Sequence, residues 1–339
     1  MSLPTSARPA LVGLALTAAL LVSVVVAVTI GPADITFGEV WGSIASHLGL
    51  GASPLPALRD GIVWELRLPR VLTAALVGAG LAIAGAVMQA ITRNPLADPY
   101  LLGLSSGASL GAVSVLLLGA SLQLPVAAFL GAMVALALTL ALASSLGAIT
   151  PTRTVLAGLA VSSLAGAITS LVIFWTATGD SYREILGWLL GSLAGARWPA
   201  VAIAVVAIIV AGIPIMLTGR VLDAFAFGDV SATSLGVNVN ATRWGLLAAT
   251  ALLTGAMVSV SGAIGFVGLI LPHGVRLLVG PAHRALLPLS ALVGAIFLLW
   301  ADTAARTLFD PRELPVGIVT AIIGAPLFAV LLGRRRSAT

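Results

Sequence analysis

Lysine and cysteine are both absent from the 339 residues, and all 17 basic residues are arginine. Without lysine there is no P-loop of the usual kind, whose lysine reaches the β- and γ-phosphates, and no Schiff-base chemistry. Without cysteine, disulfides, thiolate nucleophiles and iron–sulfur ligation are excluded. The three histidines, His47, His273 and His283, lie far apart, and none forms the i, i+4 pair of a helical zinc site. Charge is also scarce. Only 9% of residues are charged, against about 25% in a soluble domain, so a soluble surface cannot be assembled.

What is present is apolar. Hydrophobic residues make up 59% of the chain, about 200 positions, and a membrane span uses about 20 of them. The chain therefore has material for at most about ten spans, as an all-α polytopic membrane protein. Apolar runs place these at roughly 10–30, 70–92, 103–119, 124–147, 153–176, 198–218, 243–261, 267–284, 286–307 and 316–333. The first run is too long for a signal-peptide core and reads as a retained helix. The stretch ITFGEVWGSIASHLGL (35–50) is weakly amphipathic and suits the membrane surface, with Trp41 in the aromatic belt. Gly, Pro, His and Arg inside GAIGFVGLILPHGVR predict a short or broken helix within 262–284.

Arginine placement orients the chain. With the N-terminus inside, inner segments hold nine arginines against Asp98, Asp223 and Asp229, whereas outer segments hold seven against nine acids. Arg276 is left unassigned. This asymmetry puts both termini in the cytoplasm, with the C-terminal Arg334, Arg335 and Arg336 as anchors. The high isoelectric point reports topology rather than nucleic-acid binding. A faint repeat links GAGLAIAGA (78–86) to GAMVSVSGA (255–263). The two lie five spans apart, so the copies would run in opposite directions, as in many transporters.

Four polar segments could carry function. ELRLPR (65–70), at the outer mouth of the second span, has Arg67 and Arg70 one turn apart, suited either to a carboxylate partner or to interfacial snorkelling. RNPLADPYLLGLSSGA (93–108) carries two prolines and Asn94, which read as a tight turn or as a gate at the inner end of a pathway. Its Gly103-Leu-Ser-Ser-Gly107 formally matches a serine-hydrolase elbow, but that motif needs a strand before it, and a Gly/Ser-rich helix start explains the residues. The inner loop 220–243 reads as two short helices, with Gly228 between them, Asp229 or Ser231 as a cap and Gly236 at the end. It is a docking surface or an ordinary connection. In the last segment (301–326) Asp302 and Arg306 are spaced i, i+4, as in a helix-surface ion pair, although Arg306 could instead join Arg67 and Arg70.

Together these segments resemble one family. RLPRVLTAALVGAGLAIAGAVMQAITRNPLADPYLLGLSSGA, FGDVSATSLGV, SGAIGFVGLILPH and ELPVGIVTAIIGAP are similar to the FecCD-type permeases, membrane subunits of bacterial ABC importers for iron–siderophore complexes, haem and cobalamin. The resemblance covers nearly the whole chain. It implies one permease domain over 1–339, in the inner membrane, with a coupling loop at about 219–243 and outer segments at about 31–69, 177–197 and 308–315. It further implies a second permease subunit, two cytoplasmic ATPases holding ATP and Mg, an extracytoplasmic binding protein, and no cofactor or metal on this chain. By position Arg67, Arg70 and Arg306 match the arginines that dock the binding protein. Phe227, Gly228, Asp229, Ser231, Ala232, Leu235 and Gly236 match the coupling helices. Asn94, Leu96 and Thr152 match the inner gate, and Pro151 departs from the small polar residue expected there. Ser162 and Ser163, on the fifth span, would line a path between two copies or bond neighbouring helices. Siderophore cargo is the first choice, with haem or cobalamin as alternatives. A self-sufficient secondary carrier would need a buried ionisable residue for ion coupling, and no Asp or Glu falls mid-span. A membrane-embedded enzyme would need a His–Ser or His–carboxylate cluster, which the sequence lacks.

Overall fold

The computed structural model describes residues 7–31, 33–118, 122–145, 150–309 and 312–336; the side chains of Arg8 and of the C-terminal arginines lie outside it, as do the last residues predicted for the third and fourth spans. The helices in chain order are α1 (Ala7–Thr29), α2 (Phe37–His47), α3 (Ala57–Gly61), α4 (Leu68–Thr92), α5 (Leu104–Leu118), α6 (Leu124–Ser145), α7 (Pro151–Thr176), α8 (Gly179–Leu189), α9 (Trp198–Ala207), α10 (Ile213–Leu217), α11 (Gly219–Ala226), α12 (Asp229–Ser234), α13 (Val239–Ser261), α14 (Val267–Val279), α15 (His283–Thr307) and α16 (Val316–Arg336). Among the described residues seven helical segments are long and apolar enough to cross a membrane, and α5, α14 and α16 add three shorter apolar helices. The total agrees with the ten runs read from the sequence.

Two spans are interrupted for the same reason. A wide π turn at Ile62–Arg67 joins α3 to α4, and another at Ile208–Gly212 joins α9 to α10. Each lies just before a proline, Pro69 and Pro214. Proline has no N–H to donate, and its ring collides with the carbonyl four residues back, here Glu65 and Val210, so the turn widens. The second span thus runs continuously from Ala57 to Thr92. Its length, about 54 Å at 1.5 Å per residue, exceeds the hydrocarbon core of about 30 Å. Part of the outer segment predicted to end at residue 69 is therefore an extension of this helix.

The centre of the bundle is α4, α13 and α15, the most buried spans. They pack through small residues, as expected where lipid is as apolar as a side chain. At the α4–α15 crossing Gly78 and Gly294 touch backbone to backbone, and a methyl group at either would collide with the other's carbonyl. The two copies of the repeat have corresponding places in the packing. α4 lies on α14 and α15, while α13 lies on α5 and α6. Each half thus lends its second span to the other. Gly255, the counterpart of Gly78 in the repeat, sits at the α13–α6 crossing against Met133.

The weakly amphipathic stretch folds as α2, opened by a full capping box between Thr36 and Glu39. Two hydrogen bonds from Thr36 hold the Glu39 carboxyl below the usual range, with help from Arg59. The broken helix expected within 262–284 is also present. α13 stops at Ser261, residues 262–266 are irregular, and α14 has 13 residues with Pro272 inside.

Candidate functional site

The outer arginines are not free forks. Arg67 is buried and donates from Nη1 to the carbonyls of Val28 (3.4 Å) and Thr29 (3.2 Å) and from Nη2 to Ala33 (2.6 Å). Arg306, also buried, donates to the Ala27 carbonyl at 2.7 Å. The last carbonyls of a helix have no partner within it and carry partial negative charge. Two guanidinium groups from other helices thus cap the end of α1. Arg70 makes a bidentate pair with Asp302 (2.8 and 3.0 Å) and a third bond to Glu313 (2.7 Å). The Asp302 side chain is 2% exposed and that of Glu313 is 42% exposed. Two expectations change accordingly. All three guanidinium groups face inward because helix-end carbonyls and a buried carboxylate claim them, and Asp302 takes Arg70 rather than its i, i+4 neighbour Arg306. What faces outward around them is Glu313, with Arg312 and Glu65 exposed nearby in sequence.

The turn after α4 closes as the prolines suggest. Arg93 adopts φ 51°, the amide of Asn94 donates back to Gln89, and the Asn94 side chain accepts from the amide of Leu96 at 3.0 Å. Leu96 and Thr152 are exposed at this end. Pro151 stands at the start of α7 behind the cap Thr150, a position that suits a residue without an N–H. Asp98 accepts from the amide of Tyr100, and burial pushes its carboxyl up to about 6. On α7 Ser163 is exposed and Ser162 half-buried, amid a large apolar face that includes Leu159, Leu164, Leu171 and Phe174.

Two polar side chains that the sequence reading passed over hold the broken start of α14. The Tyr100 hydroxyl donates to the Ile264 carbonyl (3.0 Å) and accepts from its amide (3.2 Å). Gln89 donates to the carbonyls of Gly268 (3.2 Å) and Leu269 (3.0 Å). Irregular backbone at membrane depth must find such partners within the protein. A signal existed, since Tyr100 is one of only two tyrosines.

The inner loop forms the expected helix pair, α11 and α12, joined at Gly228 with φ 94° and closed at Gly236 with φ 84°. A residue with a Cβ would be strained at Gly228 and would press on the Arg93 guanidinium at 3.3 Å. Neither Asp229 nor Ser231 caps α12. The Asp229 carboxylate instead receives Arg243 at 2.9 and 3.0 Å, with Arg93 at 3.9 Å. Arg243 is buried over the Phe225 ring. Ala232 packs inward, whereas Phe227 (75% exposed), Val230 (85%) and Leu235 (69%) project from the helix pair. Val230 had not been singled out from the sequence. A second link was also missed. Asp223 of α11 accepts from the His283 amide (2.8 Å) and pairs with its Nδ1 (2.7 Å) at the start of α15.

The model of the FecCD transport family matches residues 19–334. The chain belongs to the FecCD transport family. An uncharacterized ABC transporter permease protein, YvrB of Bacillus subtilis, is 43% identical over 93% of this chain and 91% of its own length. The cobalamin import system permease BtuC of Halobacterium salinarum is 46% identical over 84% of this chain and 78% of its own. The Fe(3+) dicitrate permease FecD of Escherichia coli is 45% identical over 81% and 86%. Among solved structures, a metal-chelate type ABC transporter in an inward-facing conformation superposes with a TM-score of 0.83 at 33% identity, covering 95% of this FecCD chain and 98% of the other.

Proposed function

We propose that this FecCD protein is the membrane-spanning permease subunit of an ATP-driven importer. It works in the cytoplasmic membrane with both termini inside, paired with a second copy of itself. Its cargo is an iron(III)–siderophore complex, delivered by an extracytoplasmic binding protein. Relatives named for cobalamin, haem and iron citrate support the class but do not choose within it. Haem or cobalamin is the alternative cargo.

One observation carries the reading. Phe227, Val230 and Leu235 stand exposed on a two-helix projection anchored by buried Arg243. Large apolar side chains grouped on a charged, structured loop mark a protein contact. Two ATPase subunits, holding ATP and Mg, are assigned to this contact, one on each copy. Hydrolysis would belong to them, since a chain without lysine has no P-loop.

Transport proceeds by alternating access. Closure of the ATPases displaces α11 and α12, and the exposed faces of α7 and α16, facing their counterparts in the second copy, open on one side at a time. The Asn94–Leu96 turn and Thr152 sit at the inner end of that path, with Ser162 and Ser163 along it. Docking of the binding protein is assigned to the outer surface built over Arg67, Arg70 and Arg306. Glu313 and Arg312 provide its exposed charges. A self-sufficient ion-coupled carrier fits less well, because the buried carboxylate in a span, Asp302, is already neutralised by Arg70.

The test is uptake of labelled ferric siderophore, haem and cobalamin into proteoliposomes that contain the permease and its ATPase, with binding protein outside. ATP-dependent uptake of one ligand, abolished in Val230→Asp/Leu235→Asp, is the expected result. Uptake that needs no ATPase would overturn the proposal in favour of a secondary carrier.

A further inference from the structure

Between α6, α9 and α13 an apolar groove of about 510 Å³ runs along the outer half of the bundle, with Phe129, Leu130, Val206, Val210 and Leu252 in its walls. It is not isolated. Pro125, Ile203 and Ser259 also line a second cavity of about 520 Å³ above it, where the walls turn polar with Gln123, Arg183, Glu184, Ser192 and Arg197. The two form one cleft, apolar below and charged at its mouth.

We propose that this cleft seats one anionic glycerophospholipid, headgroup at Arg183 and Arg197 and one acyl chain in the groove. Both arginines are exposed, and no carboxylate of a described residue pairs with either; Arg197 donates only to the neighbouring Ala196 carbonyl. Among the described residues that line the mouth Glu184 is the one acid, so these side chains together carry one net positive charge. The dimensions agree. From Arg197 to Val210 the helix advances about 20 Å, enough for an acyl chain running from the headgroup level past the mid-plane of a core about 30 Å thick. The groove's lower end meets the π turn at Ile208–Gly212, and Val210 within that turn lines it. Placement in the outer leaflet rests on the orientation proposed above, whereas the binding itself does not.

Native mass spectrometry of the purified full chain, titrated with phosphatidylglycerol and phosphatidylcholine of identical acyl chains, tests the site. The wild type is expected to retain one phosphatidylglycerol about fivefold better than phosphatidylcholine, the factor for one unopposed basic charge at a lipid surface. Arg183→Gln/Arg197→Gln removes that preference. Glu184→Gln raises it about fivefold further, so that a gain as well as a loss is predicted. Ala202→Phe/Val206→Phe, at exposed positions on the groove wall, lowers retention of both lipids. Equal retention of the two lipids by the wild type, a preference that survives loss of both arginines, or filled-groove variants that hold lipid as before would each overturn the assignment.

Discussion

Removing Arg70 alone should be far more damaging than removing Asp302 together with it. The guanidinium is 10% exposed and Asp302 only 2%. In Arg70→Met the Asp302 carboxylate stays buried without the cation hydrogen-bonded to it, and Arg306 acts on it only at longer range, which costs about 3–5 kcal/mol. Glu313 is 42% exposed, so its loss should cost no more than about 1 kcal/mol. In Arg70→Met/Asp302→Leu both charges go and apolar groups of similar bulk remain. Replacing a buried ion pair in this way is often neutral. The cycle therefore predicts a large single-variant loss for Arg70→Met, recovered by most of its size in the double variant. With an unfolding entropy of about 2.1 cal/mol/K per residue, each kcal/mol shifts Tm by about 1.4 °C in a chain of 339 residues, so a single-variant drop on the order of 5 °C is expected. Thermal unfolding in detergent, followed by loss of the monodisperse species, reads it. Two results would refute the reasoning. One is a Tm for Arg70→Met within about 2 °C of wild type, and the other is a double variant as unstable as the single.

Tyr100→Phe strips both hydrogen bonds from Ile264 and should speed amide exchange at residues 262–266 by at least about tenfold, each lost buried bond costing about 1–3 kcal/mol; hydrogen-exchange mass spectrometry checks this, and unchanged protection refutes it. Val230→Asp should leave Tm within about 2 °C, as expected for an exposed position, yet abolish co-purification with the ATPase partner. The Asp98 carboxyl lies at about 6, above its unfolded value near 3.8. The folded state therefore holds that proton more tightly, so stability falls as pH rises from about 4 to about 6 and levels off above. A Tm–pH profile should show that decline, and Asp98→Asn should flatten it.

Much of the fold was readable in the residues because a membrane imposes a coarse rule on chain length and polarity. Every helix start found among the spans lies within a few residues of its apolar run, save the second. There a run of mixed residues, Arg59 to Arg67, continues the helix, and an apolar-run reading has no means of registering charged helical turns. The inner helix pair was legible from Gly228 and Gly236, whose positive φ values need glycine. The site was less so. Arg67, Arg70 and Arg306 were recognisable as important, but their direction was not. Capping of α1 depends on its end lying beside α4 and α15, a contact between residues more than 200 apart in the case of Arg306. The pairing of Asp302 with Arg70 across 232 positions overrode the nearer partner for the same reason.

Helix α15 is fastened at both ends. Asp223 grips His283 at its first residue, and Arg70 grips Asp302 in its penultimate turn, about 29 Å away. A helix resists stretching and compression along its axis far more than it resists sliding in a loose socket, and here neither socket is loose. Mechanically it is a connecting rod between the inner helix pair and the outer charge cluster. Pro288 withholds its amide from the Arg284 carbonyl, so the compliant point of the rod is its first turn. In the proposed transport cycle a push on α11 would therefore be carried along α15 to the Arg70–Asp302 pair, less whatever the first turn absorbs.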